Sequence, residues 1–167
     1  MTKESLAYPI VAAIIESKTK EGTKILVQTR WKPKVSPKYT GLLEIPAGAI
    51  RAYENVHDTL RREIKEEINL EVLEIYGEMM PADTYHEDFG QAFRPFCCVQ
   101  LTKGAPFVGF VFIVRVKEDT LQAQTSEVKD PQWMMFEELE LLLENHPEKF
   151  FTLELGALKL YVKENKK

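Results

Sequence analysis

Cysteine is nearly missing: Cys97 and Cys98 are the only two in 167 residues, and they are adjacent. Neighbouring side chains on a strand face opposite ways, so an ordinary disulfide between them is excluded. Neither their number nor their spacing suits a zinc centre. One buried and one partly exposed free thiol are expected, in a reducing, cytoplasmic setting. Long apolar runs are absent too. Pro9–Ile15 and Ala105–Val114 fall well short of the ~20 residues of a membrane helix, so both read as core strands and no membrane partner is expected. Met1–Leu6 carries Lys3 and Glu4, so no signal peptide is expected. Positive charge is outnumbered, 22 Lys and Arg against 26 Asp and Glu, for a net charge of -4. That balance argues against a nucleic-acid partner. What is present is ordinary for a globular chain, 44% hydrophobic and 29% charged. One domain covering 1–167 is expected.

Along the chain, Tyr8–Ile15 reads as a buried strand and Lys24–Arg30 as its hairpin partner across the Glu21-Gly22 turn. Trp31–Thr40 is a loop and Gly41–Ile45 a short strand stopped by Pro46. Ala47–Tyr53 reads as loop, Asn55–Ile68 as the best-defined helix, Glu71–Met79 as a strand, and Pro81–Gly90 as a flexible loop. Gln91–Leu101 and Phe107–Lys117 read as long strands joined near Lys103-Gly104. Glu118–Asp130 is polar and irregular. Gln132–Met135, Phe136–Glu144 and Thr152–Lys163 give a last strand and two helices, separated at His146-Pro147. The sum is an α/β domain with helices packed on a mostly β core.

On a helical wheel starting at Val56, Leu60, Ile64 and Ile68 fall at roughly 40°, 80° and 120°, an apolar stripe. Arg61 and Lys65, near 140° and 180°, form a basic sector. Glu66, Glu63 and Glu67 fall at roughly 280°, 340° and 20°. Glu63 and Glu67 therefore border the apolar stripe instead of opposing it. Like charges at i, i+4 cost about 0.2–0.5 kcal/mol. A solvated acidic face is the commoner fate of such a run. Carboxylates at the edge of a buried stripe, however, need a partner or a cation. Three of them suit a hard divalent ion with oxygen ligands.

The flanks add to this. Gly48–Leu70 reads GAIRAYENVHDTLRREIKEEINL. It resembles the Nudix box: Gly, five residues, Glu, seven residues, Arg-Glu, an aliphatic, one residue, Glu-Glu, one residue, Gly, an aliphatic. Gly48, Glu54, Arg62, Glu63, Ile64, Glu66, Glu67 and Leu70 match, and Asn69 stands where the family has its second Gly. That position caps a helix C-terminus, where Asn is the next most tolerant residue. Leu43–Gly48 is similar to the family's lead-in strand and turn. Glu127 and Trp133 are similar to its late Glu-loop-Trp segment.

The resemblance implies a Nudix-type α/β/α sandwich with a mixed β-sheet core, and a catalytic loop–helix–loop at Gly48–Leu70. It implies metal-dependent hydrolysis of a diphosphate linkage in a nucleotide derivative. Mg²⁺ would be the ion, with Mn²⁺ as a substitute, held by Glu63, Glu66 and Glu67 and a carbonyl of Ala47 or Gly48. Glu54 and Arg62 would support the site. The general base is left open between Glu63 and Glu127, with Glu87 and Asp88 as weaker candidates. Arg30 and Arg94 would meet substrate phosphates, and Tyr85 would stack on a base or ribose. The resemblance fits a homodimer. The alternative is a Nudix-fold nucleotide-sensing or protein-binding module; such modules usually lose box glutamates, and here all four remain.

Overall fold

The computed structural model describes residues 5–117 and 120–166. Its centre is β1 (Tyr8–Thr19), whose apolar run places Val11 to Ile15 wholly out of solvent. A run buried on both faces needs layers on both sides. β2 (Gly22–Arg30) folds back antiparallel on the far end of β1. β3 (Leu43–Glu44) pairs β2, and β4 (Ala47–Ala49) pairs the near end of β1, Ile10 opposite Ala49. After α1 (Val56–Ile68) come β5 (Glu71–Ile75), the hairpin β6 (Ala82–Tyr85) and β7 (Asp88–Gln91), and β8 (Cys97–Gln100). β9 (Phe107–Lys117) lies parallel to β1 and antiparallel to β5 and β8. β10 (Val128–Met135) closes the sheet on β2, and α2 (Phe136–Asn145) and α3 (Thr152–Asn165) end the fold.

Strand alternation divides the core. Val11, Ala13 and Ile15 face α1, where Leu60, Ile64 and Ile68 are fully buried with Phe112 and Val114. Ala12 and Ile14 face α2 and α3, against Leu139, Leu143, Leu158 and Tyr161. The expected α/β/α sandwich with a mixed sheet is present. No helix among the described residues is long and apolar enough to cross a membrane.

Four expectations are corrected. Ala47–Ala49 is a strand: Ala and Gly have low strand propensity, and pairing with β1 supplies what local sequence lacks. Pro81–Gly90 is mostly a two-stranded hairpin, hidden from periodicity because every residue from 81 to 92 is exposed. The strand expected over Gln91–Leu101 shrinks to β8, with Gln91 belonging to the hairpin instead. Cys97 is half-buried instead of buried and Cys98 exposed instead of partly so, while both thiols are free as expected. Glu118 and Asp119, at the start of the expected irregular segment, lie outside the described residues.

Candidate active site

The box residues sit on β4, the loop after it, and α1. Asn55 caps α1 by accepting from the backbone N–H of His57 at 2.8 Å and of Asp58. At the other end Asn69 is left-handed, with φ 58° and ψ 26°, and its N–H reaches the Lys65 carbonyl at 3.1 Å. The cap expected of Asn69 is therefore met. Gly48 has a specific steric role: a Cβ built there would lie 1.9 Å from the Glu63 carboxyl carbon. No side chain fits between β4 and α1 while Glu63 holds this position.

Arg62 organises the acidic cluster. Its Nε and Nη2 donate to the two oxygens of Glu54 at 2.6 and 2.9 Å, a bidentate pair. Its Nη1 donates to Glu63 at 2.5 Å and Glu66 at 3.2 Å, and Nη2 reaches the Ala49 carbonyl at 3.2 Å. The Arg62 hydrogen bonds hold the Glu54 carboxyl down at about 2, and Glu54 in turn raises the guanidinium's pKa. Glu66 is exposed and also pairs with Arg51 at 3.8 Å.

Glu67 is different. It is 6% exposed, and its side chain accepts a hydrogen bond from the Gln28 amide at 2.8 Å. Burial, with the nearby charges of Glu44 and Glu63, pushes its pKa up to about 8, against the lowering effect of the Gln28 bond. Beside it lie two more buried carboxylates. Glu44 pairs with Arg30 at 2.9 Å, and burial still raises its pKa. Glu154, on the first turn of α3, accepts the Ile45 N–H at 2.7 Å, while its Oε1 has no partner among the described residues. Arg30, Lys32, Gly48, Phe107, Phe151 and Glu154 line a cleft of about 160 Å³ here.

A model of the NUDIX domain matches residues 8–153. The chain belongs to the Nudix family. No curated protein sequence matches it. Solved structures similar to it include a Nudix hydrolase from Nitrosomonas europaea, with TM-score 0.67 at 20% identity over 97% of this chain and 73% of that one. A MutT protein from Methanosarcina mazei Go1 gives TM-score 0.64 at 16% identity, over 99% and 100% of the two chains. The Nudix domain of Shewanella oneidensis NrtR, crystallised with ADP ribose, gives 0.62 at 14%, over 98% and 91%. At these identities the likeness speaks for the Nudix fold.

The other expected site residues divide. The Glu127 carboxylate engages Lys32, a residue of the cleft. Its segment is tied to the box helix, since the Gln124 N–H donates to the Glu67 carbonyl at 2.8 Å. Arg30 lines the cleft but is largely committed: to Glu44, to Ser36 at 3.2 Å, and over the Phe151 ring at 4.6 Å. Arg94 is exposed and does not line the cleft. Tyr85 is 76% exposed at the hairpin tip, edge-on to His86, and does not line it either.

Gln28, Glu44 and Glu154 are site residues that sequence reasoning missed. Glu154 had a signal: it shares a helical face with Ala157, Leu158 and Tyr161, which are all buried.

The oxygen-only donor set of Glu63, Glu66, Glu67 and the β4 carbonyls is the chemistry a hard divalent cation selects. Glu67, buried and with no ion pair among the described residues, is the group that would gain most from such a cation. Among the described residues no three acidic, His or Cys side chains converge closely enough to hold an ion as they stand. Glu63 and Glu66 are turned toward Arg62 and would have to rotate to join Glu67.

Proposed function

We propose that this Nudix protein hydrolyses a diphosphate linkage in a nucleotide derivative with a divalent cation, Mg²⁺ or Mn²⁺. Glu67 carries the proposal: a carboxylate 6% exposed, with one amide donor, on the family's acidic helix. Glu63, Glu66 and Glu67, with a carbonyl of Ala47 or Gly48, would hold the ion. When bound, it supplies charge neutralisation at the phosphoryl oxygens and a bound water of lowered pKa.

The chain's own residues do the rest. Arg62, clamped by Glu54, holds the carboxylates of Glu63 and Glu66 beside the site, from where they would rotate toward the ion. Lys32, at the rim of the cleft, offers a positive charge to a phosphate, with Arg30 behind it. Water attacks phosphorus, its proton passes to a carboxylate base, and the bridging oxygen leaves with the second phosphate fragment. Glu127 is proposed as that base or as a further ligand: it sits on a tethered segment beside Lys32 and can change partner as substrate enters.

The test is product release from ADP-ribose, dinucleotides, sugar nucleotides and nucleoside triphosphates, with Mg²⁺ and after chelation. Turnover with Mg²⁺ that chelation removes is expected for at least one class. Full-rate turnover after chelation would overturn the metal assignment. Binding of these compounds without any turnover would make the chain a nucleotide-sensing module.

A further inference from the structure

A second cleft, of about 260 Å³, opens at the other end of α1, between its first turn and the β6–β7 hairpin. Tyr53, Asn55, His57, Phe89, Gln91 and Phe93 line it. The hairpin buries none of its residues, and two strands alone are marginal in water, so it needs an anchor. Gln91 provides one by accepting from the side chain of Asn55, the cap of the catalytic helix. Phe89 and Gln91 share one face of β7, which turns the Phe89 ring toward the box loop.

Two features there exceed the needs of the fold. His57 is 2% exposed and packs edge-on against Phe112 with ring centroids 5.4 Å apart, yet its Nε2 has no partner among the described residues. A buried ring nitrogen without a partner is costly, and against Phe112 an apolar side chain would serve the packing as well. Tyr53 is fully exposed and its backbone is left-handed, φ 64°, which an aromatic residue rarely adopts. Phe89, across the cleft, is 68% exposed. Exposed rings and a lining histidine whose buried ring nitrogen has no partner among the described residues suit a flat heteroaromatic guest with a hydrogen-bonding edge.

We propose that this cleft binds the base of the nucleotide substrate, stacked on Tyr53 and Phe89 with its edge hydrogen-bonded to His57 Nε2. The proposal deepens the diphosphatase activity proposed above. Burial lowers the imidazole's pKa, so the ring is neutral at pH 7 and offers a donor or an acceptor without a charge. Glu54, on the wall, is neutralised by Arg62 and does not repel the phosphates. His57 and Glu63 are six residues apart on α1, a rise of about 9 Å. A base held here leaves ribose and phosphates to run past the Glu54–Arg62 pair to the carboxylates.

The experiment is an NMR titration of the metal-free protein with AMP and, separately, with ribose 5-phosphate, which has no base. AMP should shift the His57 ring and the Phe89 and Phe93 signals saturably, and ribose 5-phosphate should leave them in place. The double variant Tyr53→Ala/Phe89→Ala removes two exposed rings and no core contact, and should weaken AMP binding at least about fivefold. AMP shifts confined to Arg30, Lys32 and Phe151, equal His57 shifts from both ligands, no AMP binding, or unchanged affinity in the double variant would each overturn the site. Because the titration needs neither metal nor turnover, AMP binding at His57 in a protein that hydrolyses nothing would sustain the site and strike only the activity.

Discussion

Glu67 and Glu16 are both buried carboxylates, 6% and 4% exposed, at separate places in the sandwich. Glu16, on β1, is fully served: the Tyr161 hydroxyl donates at 2.8 Å, the Tyr76 hydroxyl at 3.2 Å, and Lys18 lies at 3.2 Å. Glu67, on α1, has an amide and the charge of Lys32 against burial and two acidic neighbours. A satisfied buried charge belongs to the architecture. One held mainly by a neutral amide among other carboxylates, and kept at a cost to stability, marks a candidate place for a cation. Glu154, with one oxygen bonded and the other without a partner among the described residues, is a further buried carboxylate short of partners.

The comparison predicts opposite behaviour for the two residues. Glu67→Gln should lower kcat at least about a hundredfold, since it removes a proposed ligand where even supporting groups are worth 10–100-fold. Its metal-free melting temperature should stay level or rise. Near-wild-type turnover with Mg²⁺ would end the distinction. Glu127→Gln should lower kcat at least about tenfold. Unchanged kcat and metal dependence would return Glu127 to its surface pair with Lys32 and leave Glu63 as the base. Glu16→Ala should act on stability alone. Two tyrosine hydroxyls lose their acceptor, at about 1–3 kcal/mol, a fall in Tm of several degrees by calorimetry, with activity per folded molecule retained. A catalytic loss without a Tm change would mean that Glu16 is misread as architectural.

The smallest effect is in pH. The folded Glu67 pKa of about 8 lies above the ordinary 4.5. Between those values the folded protein keeps a proton that the unfolded chain has released, so stability should fall as pH rises from about 4.5 to about 8. Glu44 and Glu154 are raised by burial and act in the same direction. Glu54, lowered to about 2, acts below that window with the opposite sign. Thermal melts of chelated protein from pH 5 to 8.5 should therefore slope downward, and less steeply in Glu67→Gln. An identical slope in the two proteins would remove Glu67 from the account.

The box helix was legible because its signal is local: period, cap and carboxylate sector all lie within Asn55–Asn69. Glu67 was legible by its wheel angle, at the edge of the stripe that α1 buries. Gln28 and Glu154 were not singled out, because their partners lie 39 and 109 residues away and no window of sequence joins them. β4 was hidden for the same reason: its strand character comes from β1. The β6–β7 hairpin escaped because it buries nothing, and burial is what writes a pattern into sequence. Arg30 shows the limit of reading residue type alone. A cation expected for phosphate spends its donors largely on Glu44 and Ser36.

The parallel pairing of β1 with β9 also governs the order in time. Ile15 meets Val114 across 99 positions of chain. At a synthesis rate of about 5–20 residues per second, β1 would leave the ribosome several seconds before its central neighbour exists. In that interval the β1–β2 hairpin has no parallel partner along Ile10–Ile15, six uncharged apolar residues of which four are β-branched, the kind of segment that recruits other strands. The nascent chain is therefore most exposed to misassociation before β9 emerges, and its yield should depend on how that wait is covered.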